Sequence, residues 1–383
     1  MTLSFSRNGG AGAISRRPPA WPETAATAVL AVALSVVASA VMAQATDERT
    51  PGQPRRICTD AGAGGYQAFP DVCRLSSGDL LCVFYAGYAH ISHPSAELPL
   101  GARVCGIRSS DEGRTWSPAF VVADTPYDDR DPSVVETTSG EVICNFFTYY
   151  HGGPKRPPGK PDAYKEIWLV RSADHGRTWT KPERIASVAD ERYGCSSPIR
   201  QLSDGALLMP VYREMRDPLG CWSGVIRSTD GGRKWSAPCM IDETNPDNDE
   251  PDIVELPDKR LMCMMRTNGG KSMWKSVSGD GGRSWSRPET VGFYGQAPYL
   301  LLTKGRVLIC SFRGPGTSMR LSMDMGRTWG GNVRIDDCGG AYPSMLELPD
   351  GRVLVVYYEE GARSALRQRL FRIDGNEVRF VDP

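Results

Sequence analysis

The sequence predicts an all-β protein, specifically a six-bladed β-propeller, and two internal repeats carry this prediction. The first repeat is an octapeptide with the pattern Ser-x-Asp-x-Gly-x-x-Trp. Its five copies start at Ser109, Ser172, Ser228, Ser278 and Ser322. The Asp can accept backbone N–H groups, the Gly can adopt a positive φ and the Trp can pack across the chain, so each copy predicts a hairpin turn. We therefore expect these five aspartates to be structural rather than catalytic.

The second repeat is a pair of apolar segments joined by a short Gly/Asp-containing turn, which predicts a β-hairpin. Its six copies begin at Phe69, Asp131, Ser197, Glu250, Ala297 and Tyr342. Five of these hairpins are followed by a second hairpin that the octapeptide closes, so the chain predicts six four-stranded blades. The sixth blade lacks an octapeptide. Its outer strands are expected at residues 365–373 and 377–381. Alternatively, residues 55–59 pair with this blade as a late partner and so close the ring.

The length and charge of the chain set further limits. A chain of 383 residues allows one large domain or two ordinary ones, and equal numbers of acidic and basic residues argue against a nucleic-acid-binding protein. Residues 25–42 form an uncharged Ala/Val-rich run that follows three arginines and precedes small residues, which predicts a cleaved signal peptide at residues 1–45. An uncleaved membrane anchor is the alternative.

The predicted organisation follows from these limits. It is a signal peptide (1–45), an N-terminal linker or closing segment (46–65) and a propeller (66–383). We expect an exported protein, periplasmic or extracellular, with no stable membrane association after cleavage.

Strand direction predicts which residues share a face of the propeller. The start of each first strand and the end of each second strand should lie on one face, opposite the octapeptides. The second residue of every hairpin repeat is a proline, called the repeat proline below, and the residue before it should lie at the mouth of the central channel. Fifteen positions after this proline, three consecutive blades carry an arginine: Arg213, Arg266 and Arg313. Because a planar guanidinium can hold a carboxylate through two hydrogen bonds, these arginines predict an anion pocket. Pairing with local acids or carbonyl groups is the structural alternative.

The five octapeptides match the Asp-box signature, and from about residue 66 to the C-terminus the chain resembles the sialidase superfamily. That resemblance implies a glycoside hydrolase that needs no cofactor, binds the substrate carboxylate with arginines and uses a Tyr nucleophile activated by Glu, with an Asp as acid/base. The matching segments imply the nucleophile Tyr342, its activator Glu250 and the carboxylate ligands Arg266 and Arg313, with Arg320 as a weaker candidate for the last.

Two positions depart from the family pattern. Phe69 stands where the family has its first arginine, and Arg213 is the candidate replacement. The loop in which the family carries its acid/base Asp contains only Glu97 here. Asp131, at the mouth of the second blade, is the first candidate substitute, followed by Asp71 and Glu97. A turn-capping role for Asp131 is the structural alternative.

The sequence thus favours an exported exo-glycosidase of sialidase type that removes a terminal acidic sugar, sialic acid or a related keto acid, from a glycan. One alternative is a propeller glycosidase that uses Asp131 and Glu250 on a different glycan. A second is a non-catalytic propeller that binds a glycan or a protein, which a mouth blocked by Phe69 would favour. The cysteines lack a Cys-x-x-Cys spacing and His90 and His93 lack an obvious third ligand, so we expect no metal site.

Overall fold

The structure is a computed structural model that describes residues 52–151, 163–189, 192–216, 219–241, 248–361 and 364–383. The predicted signal peptide lies outside these ranges. Within them the chain forms 26 strands and a single 3-10 helix, at Ala186–Val188. No helix in the described ranges has the length and apolar character needed to cross a membrane.

The strands form six antiparallel sheets arranged as propeller blades, which confirms the predicted fold class. Strand β1 (Arg55–Cys58) comes first. Blade 1 then contains β2 (Tyr66–Arg74), β3 (Leu80–Gly87), β4 (Arg103–Ser109) and β5 (Phe120–Ala123). Blade 2 contains β6 (Asp128–Glu136), β7 (Val142–His151), β8 (Ala163–Ser172) and β9 (Glu183–Arg184). Blade 3 contains β10 (Tyr193–Gly194), β11 (Arg200–Gln201), β12 (Leu207–Arg216), β13 (Leu219–Ser228) and β14 (Cys239–Met240).

The remaining three blades follow in the same order along the chain. Blade 4 contains β15 (Asn248–Glu255), β16 (Leu261–Thr267), β17 (Ser272–Ser278) and β18 (Glu289–Tyr294). Blade 5 contains β19 (Gln296–Leu302), β20 (Leu308–Gly314), β21 (Gly316–Ser322) and β22 (Val333–Asp336). Blade 6 contains β23 (Gly340–Glu347), β24 (Val353–Glu359), β25 (Ala365–Asp374) and β26 (Glu377–Val381).

Both segments considered for the outer edge of blade 6 pair with β25. The N-terminal strand β1 pairs with its first half, as in Arg55 with Gln368, and β26 pairs with its second half, as in Leu370 with Val381. The N-terminal and C-terminal ends of the propeller therefore meet in a single blade.

The hydrophobic core lies between neighbouring blades rather than inside one of them. In one cluster, Ile143 and Ile167 of blade 2 pack with Leu207 and Met209 of blade 3, and all four side chains are at most 1% exposed. Second strands such as β3 are buried along their whole length because a blade covers each face. This explains why these strands are continuous apolar runs instead of alternating ones.

Each of the five octapeptides forms a turn with one hydrogen-bond pattern. In the first copy, Ser109 Oγ accepts from the N–H of Gly113 at 2.9 Å and donates to Asp111 Oδ1 at 2.7 Å, while Thr115 N–H donates to the same carboxylate at 2.9 Å. The other four copies repeat these bonds. Gly113 has a φ of 83°, which a residue with a Cβ rarely adopts. The Asp carboxylate thus stabilises the turn of its own octapeptide.

A buried carboxylate next to the repeat proline of blade 4 joins three blades at the central channel. Asp252 has no exposed surface. It accepts two hydrogen bonds from the guanidinium of Arg200 in blade 3, at 2.6 and 3.2 Å, and one from the N–H of Leu300 in blade 5, at 2.7 Å.

Asp71 makes an equivalent connection on the opposite side of the ring. It follows the repeat proline of blade 1, accepts the Ser344 hydroxyl of blade 6 at 2.6 Å and accepts the N–H of Val134 in blade 2 at 2.8 Å. Burial raises its pKa to about 6, although these hydrogen bonds oppose the shift. Asp71 and Asp252 thus fix the inner strands two positions after the mouth residues Phe69 and Glu250.

Candidate active site

A repeated backbone irregularity builds the mouth of the channel. In every blade except the third, the pairing of the first strand with the second shifts register around the repeat proline, as a β-bulge does. The residue before that proline has a positive φ in all five: Phe69 (52°), Asp131 (46°), Glu250 (35°), Ala297 (47°) and Tyr342 (44°). Non-glycine residues rarely adopt this conformation, and it persists where the surrounding structure fixes the backbone.

Five of the six predicted site residues line one cavity of about 310 Å³ at this mouth. They are Tyr342, Glu250, Asp131, Arg266 and Arg313. A cavity of this size falls at the lower end of the range for small-molecule sites. Arg266 and Arg313 occupy equivalent positions at the ends of second strands, where they pair with Asp249 and Gln296.

Tyr342, Glu250 and Arg266 form a hydrogen-bonded unit at the centre of the site. The Tyr342 hydroxyl donates to Glu250 Oε1 at 2.5 Å, and Arg266 Nη1 donates to Glu250 Oε2 at 2.7 Å. Burial alone would raise the pKa of Glu250, but the charge of Arg266 and the Tyr342 hydrogen bond outweigh it and hold this pKa below its ordinary value. Burial and the Glu250 charge raise the pKa of Tyr342 well above its ordinary value. A neutral phenol thus faces an ionised carboxylate that can accept its proton.

Arg313 approaches the same tyrosine from blade 5. Its guanidinium carbon lies 5.3 Å from the centre of the Tyr342 ring, and its Nε donates to Gln296 Oε1 at 2.9 Å. Arg313 and Arg266 therefore place two guanidinium groups beside the phenol. Such an arrangement favours an anionic ligand at this end of the cavity.

Asp131 enters the cavity from blade 2. Its Oδ2 accepts the Ser196 hydroxyl at 2.7 Å, whereas its buried Oδ1 has no hydrogen-bond partner among the described residues. Burial raises the pKa of Asp131 to about 6, against the opposing charge of Arg130 and the Ser196 hydrogen bond. A carboxyl group with this pKa and an unused oxygen can hold a proton near neutral pH and donate it to a ligand.

The sequence matches a known family over most of its length. The profile of the BNR repeat-like domain family matches residues 101–355. The chain belongs to the BNR repeat-like family. The predicted resemblance to the sialidase superfamily is thereby confirmed, and the curated relatives of this BNR repeat-like protein agree with it.

Two of those curated relatives are bacterial sialidases. One, from Bacteroides fragilis, is 25% identical over 344 residues that cover 78% of this chain and 61% of the relative. The other, from Micromonospora viridifaciens, is 26% identical over 373 residues that cover 85% of this chain and 56% of the relative. The chain therefore spans about three fifths of the length of the relatives that it matches.

Solved structures share the fold of this BNR repeat-like protein. A protein of unknown function from Dyadobacter fermentans superimposes with a TM-score of 0.72 at 20% identity, covering 85% of this chain and 99% of that one. An α-L-arabinofuranosidase from Fusarium graminearum superimposes with a TM-score of 0.65 at 15% identity, covering 84% and 98% of the two chains. At these identities the likeness establishes the fold alone.

The sixth predicted residue, Arg213, is not among the described residues that line the cavity. The first strand of blade 3 is divided into β10 and β11, and Ser197 and Pro198 lie between the two. Arg213 therefore pairs with Tyr193 on β10, and its guanidinium carbon lies 5.8 Å from the centre of that ring. The irregular first strand makes blade 3 differ from blades 4 and 5. The three arginines therefore occupy equivalent positions on their second strands, but their surroundings differ.

Arg130 lines the cavity and was missed by the sequence analysis. It precedes Asp131 on β6, and its guanidinium carbon lies 5.2 Å from the centre of the Phe69 ring. A third guanidinium thus lies over the residue that stands in place of the family's first arginine. The sequence signal for Arg130 is its place in the charged run at residues 128–131, directly before the mouth position Asp131.

Lys165 and Asp249 also line the cavity. Lys165 on β8 holds its ammonium 4.7 Å from the centre of the Tyr212 ring and 5.0 Å from that of Phe147. Asp249 accepts the Glu250 N–H at 2.9 Å, and burial together with the Glu250 charge raises the pKa of Asp249. No repeat marks Lys165, because it lies on a third strand. Across the described ranges, no group of three or more metal-ligating side chains is present.

Proposed function

We propose that this protein is a retaining exo-glycosidase of sialidase type that releases a terminal acidic sugar from glycans. The observation that carries the proposal is the 2.5 Å hydrogen bond from Tyr342 to an ionised Glu250, flanked by Arg266 and Arg313. A phenol in contact with a base is an activated nucleophile, and adjacent guanidinium groups select an anionic substrate. The similarity to bacterial sialidases supports the same activity.

The first half of the reaction breaks the glycosidic bond. Glu250 takes the hydroxyl proton while Tyr342 Oη forms a bond to the anomeric carbon. Asp131 donates its proton to the departing glycosidic oxygen, which leaves with the bonding electron pair as an alcohol. A neutral phenol can approach the carboxylate-bearing carbon without the repulsion that a carboxylate nucleophile would meet.

The second half restores the enzyme. Asp131, now ionised, takes a proton from water as the water oxygen attacks the anomeric carbon. The bond to Tyr342 breaks, and the phenolate recovers its proton from Glu250. Two inversions at one carbon give net retention of configuration. Throughout, Arg266 and Arg313, with Arg130 from the neighbouring side, hold the substrate carboxylate.

Residues 1–45 support the further proposal that the enzyme is exported, since their composition is that of a cleaved signal peptide. An exported glycosidase has access to glycans outside the cytoplasm. N-terminal sequencing of the mature protein tests this proposal, and a mature chain that still begins at Met1 would contradict it.

A screen for released sugars tests the proposed reaction. The purified protein is incubated with sialylated glycans, with glycans that end in other acidic sugars and with arabinan, and products are identified by mass spectrometry. We expect a free acidic sugar, whose first-formed anomer by NMR matches that of the substrate. Release of no acidic sugar from any glycan would refute the proposal.

A second candidate function is a propeller glycosidase in which Asp131 and Glu250 act directly as the carboxylate pair. The position of Phe69 favours it, because the first family arginine is absent from blade 1. Release of a neutral sugar by a Tyr342→Phe variant would support this candidate over the first. A purely binding propeller is less well supported, since Phe69 packs against Tyr342 with ring centres 4.9 Å apart and the cavity of about 310 Å³ remains.

The pKa of Asp131 predicts the pH dependence of the reaction. A general acid must be protonated, so we expect kcat/KM to decrease as the pH rises through about 6, the pKa of Asp131 in the free enzyme. An Asp131→Asn variant should lose about 10²- to 10⁴-fold in kcat on a natural glycan but far less on an aryl glycoside whose leaving group needs no proton. Equal losses on both substrates would assign Asp131 a different role.

A further inference from the structure

The guanidinium of Arg130 is held by an unusual set of partners at the rim of the cavity. It is 7% exposed. Its Nη1 donates to Asp128 Oδ2 at 3.1 Å and to the backbone oxygen of His90, and its Nη2 lies 3.3 Å from Nε2 of the His90 ring. Phe69 lies beneath it. The histidine ring is thus in direct contact with a cation that faces the substrate cavity.

The hydrogen bonds determine which ring nitrogen of His90 carries the proton. The Tyr66 hydroxyl has one hydrogen, which it donates to Glu360 Oε1 at 2.8 Å. The same hydroxyl lies 3.0 Å from His90 Nδ1, so it must accept a hydrogen bond from Nδ1–H. Arg130 can only donate, so His90 Nε2 must accept. Only the neutral ring with its proton on Nδ1 satisfies both contacts.

We propose that His90, in this neutral Nδ1–H form, is a positioning residue that orients Arg130 toward the substrate carboxylate, and that protonation of His90 weakens substrate binding. The inference rests on the proposed function, because it assigns Arg130 a carboxylate as its ligand. Protonation would place an Nε2–H against an Nη–H and a positive charge against a guanidinium. The guanidinium would then lose its support from the ring.

Some of the charged groups around His90 favour a protonated ring and others disfavour it. Arg130 on β6 and Arg313 on β20 disfavour a protonated ring, whereas Asp128 on β6 and Glu360 after β24 favour one. Tyr66 and Phe69 on β2 add aromatic edges, with ring centres 6.0 and 5.5 Å from that of His90. Burial, with Arg130 next in importance, lowers the pKa of His90. His90 is nevertheless exposed at the rim, so protons from solvent can reach it.

Two substitutions of His90 separate positioning from a general structural role. His90→Gln keeps an acceptor for Arg130 and cannot become charged, whereas His90→Leu removes the acceptor. We expect His90→Leu to raise KM about 5- to 10-fold near pH 7 with kcat within about twofold of wild type, since the net contribution of one typical hydrogen bond corresponds to about that factor. His90→Gln should keep the wild-type KM and remove the rise in KM that the wild type shows on acidification.

His93→Leu is the matched control, because His93 lies in the same loop and outside the cavity lining. It should leave KM and its pH dependence unchanged. A wild-type KM and pH profile in His90→Leu would overturn the proposal. So would a loss confined to kcat.

A nitrogen-15 NMR measurement keeps this inference separate from the proposed function. The ring shifts of His90 in the full protein should show the Nδ1–H tautomer near pH 7, and Tyr66→Phe should weaken that preference. If the wild type releases no acidic sugar, the proposed function is refuted, and the positioning role, which depends on it, is refuted as well. An Nε2–H tautomer in an active enzyme would overturn the positioning role alone.

Discussion

Replacing Tyr342 with phenylalanine is expected to lower kcat by at least about 10³-fold, which corresponds to about 4 kcal/mol of transition-state stabilisation. The substitution removes the atom that forms the covalent bond and leaves the ring packed against Phe69. The Tyr342 hydroxyl also donates a hydrogen bond to Glu250. In the variant this bond is lost, and Arg266 is then the remaining described side chain that donates to the carboxylate. Glu250→Gln should cause a loss of similar order, since an amide cannot take the phenol proton.

Tyr294→Phe provides the matched control for this experiment. Tyr294 is an exposed tyrosine at the end of β18, so its hydroxyl should be dispensable for kcat. Circular dichroism and thermal unfolding of each variant establish that the propeller is intact. Nearly full activity in Tyr342→Phe on an acidic glycan would exclude the tyrosine as nucleophile. It would then favour a reaction in which Glu250 acts directly.

Replacing Asp252 with alanine is expected to destabilise the folded state by about 3–5 kcal/mol. The change leaves the Arg200 guanidinium without its bidentate partner at the channel and removes the acceptor of the Leu300 N–H. Loss of one partner from a buried ion pair costs this much because the other charge stays desolvated. Urea unfolding followed by tryptophan fluorescence should show a lower midpoint.

Asp258→Ala is the corresponding control within blade 4. Asp258 is exposed in the hairpin turn before β16, where its carboxylate accepts hydrogen bonds from the nearby Arg260. We expect its midpoint to remain at the wild-type value. Equal midpoints for Asp252→Ala and wild type would show that the ring does not depend on this connection between blades 3, 4 and 5.

The repeats explain why the fold could be predicted from the sequence. Each copy of the hairpin repeat supplies two apolar runs at constant spacing, and a ring of blades is the arrangement that buries both faces of every such hairpin. The same spacing placed Glu250 and Tyr342 at the mouth and Arg266 and Arg313 beside them. These positions depend only on strand direction and register, both of which the repeat encodes.

The parts of the site that escaped prediction depend on departures from the repeat. Blade 3 divides its first strand, so the surroundings of Arg213 could not be inferred from those of Arg266. Arg130 reaches across to Phe69 of another blade, and contacts between blades leave no periodic signal. Likewise, the role of His90 depends on a loop whose path is set by the buried hydrogen bond from Ser92 N–H to Asp128 at 3.0 Å.

The shared outer edge of blade 6 has a consequence for how the polypeptide folds during synthesis. Gly52 N–H donates to Asp382 across 330 positions of sequence, and the strand that pairs with β1 in the described part of the chain, β25, begins only at Ala365. The entropy of closing so long a segment grows only slowly with its length, but pairing this remote is slow to form. During synthesis the blades therefore form an open arc in which β1 is unpaired, and the arc can close into a ring only after β25 (Ala365–Asp374) has been made.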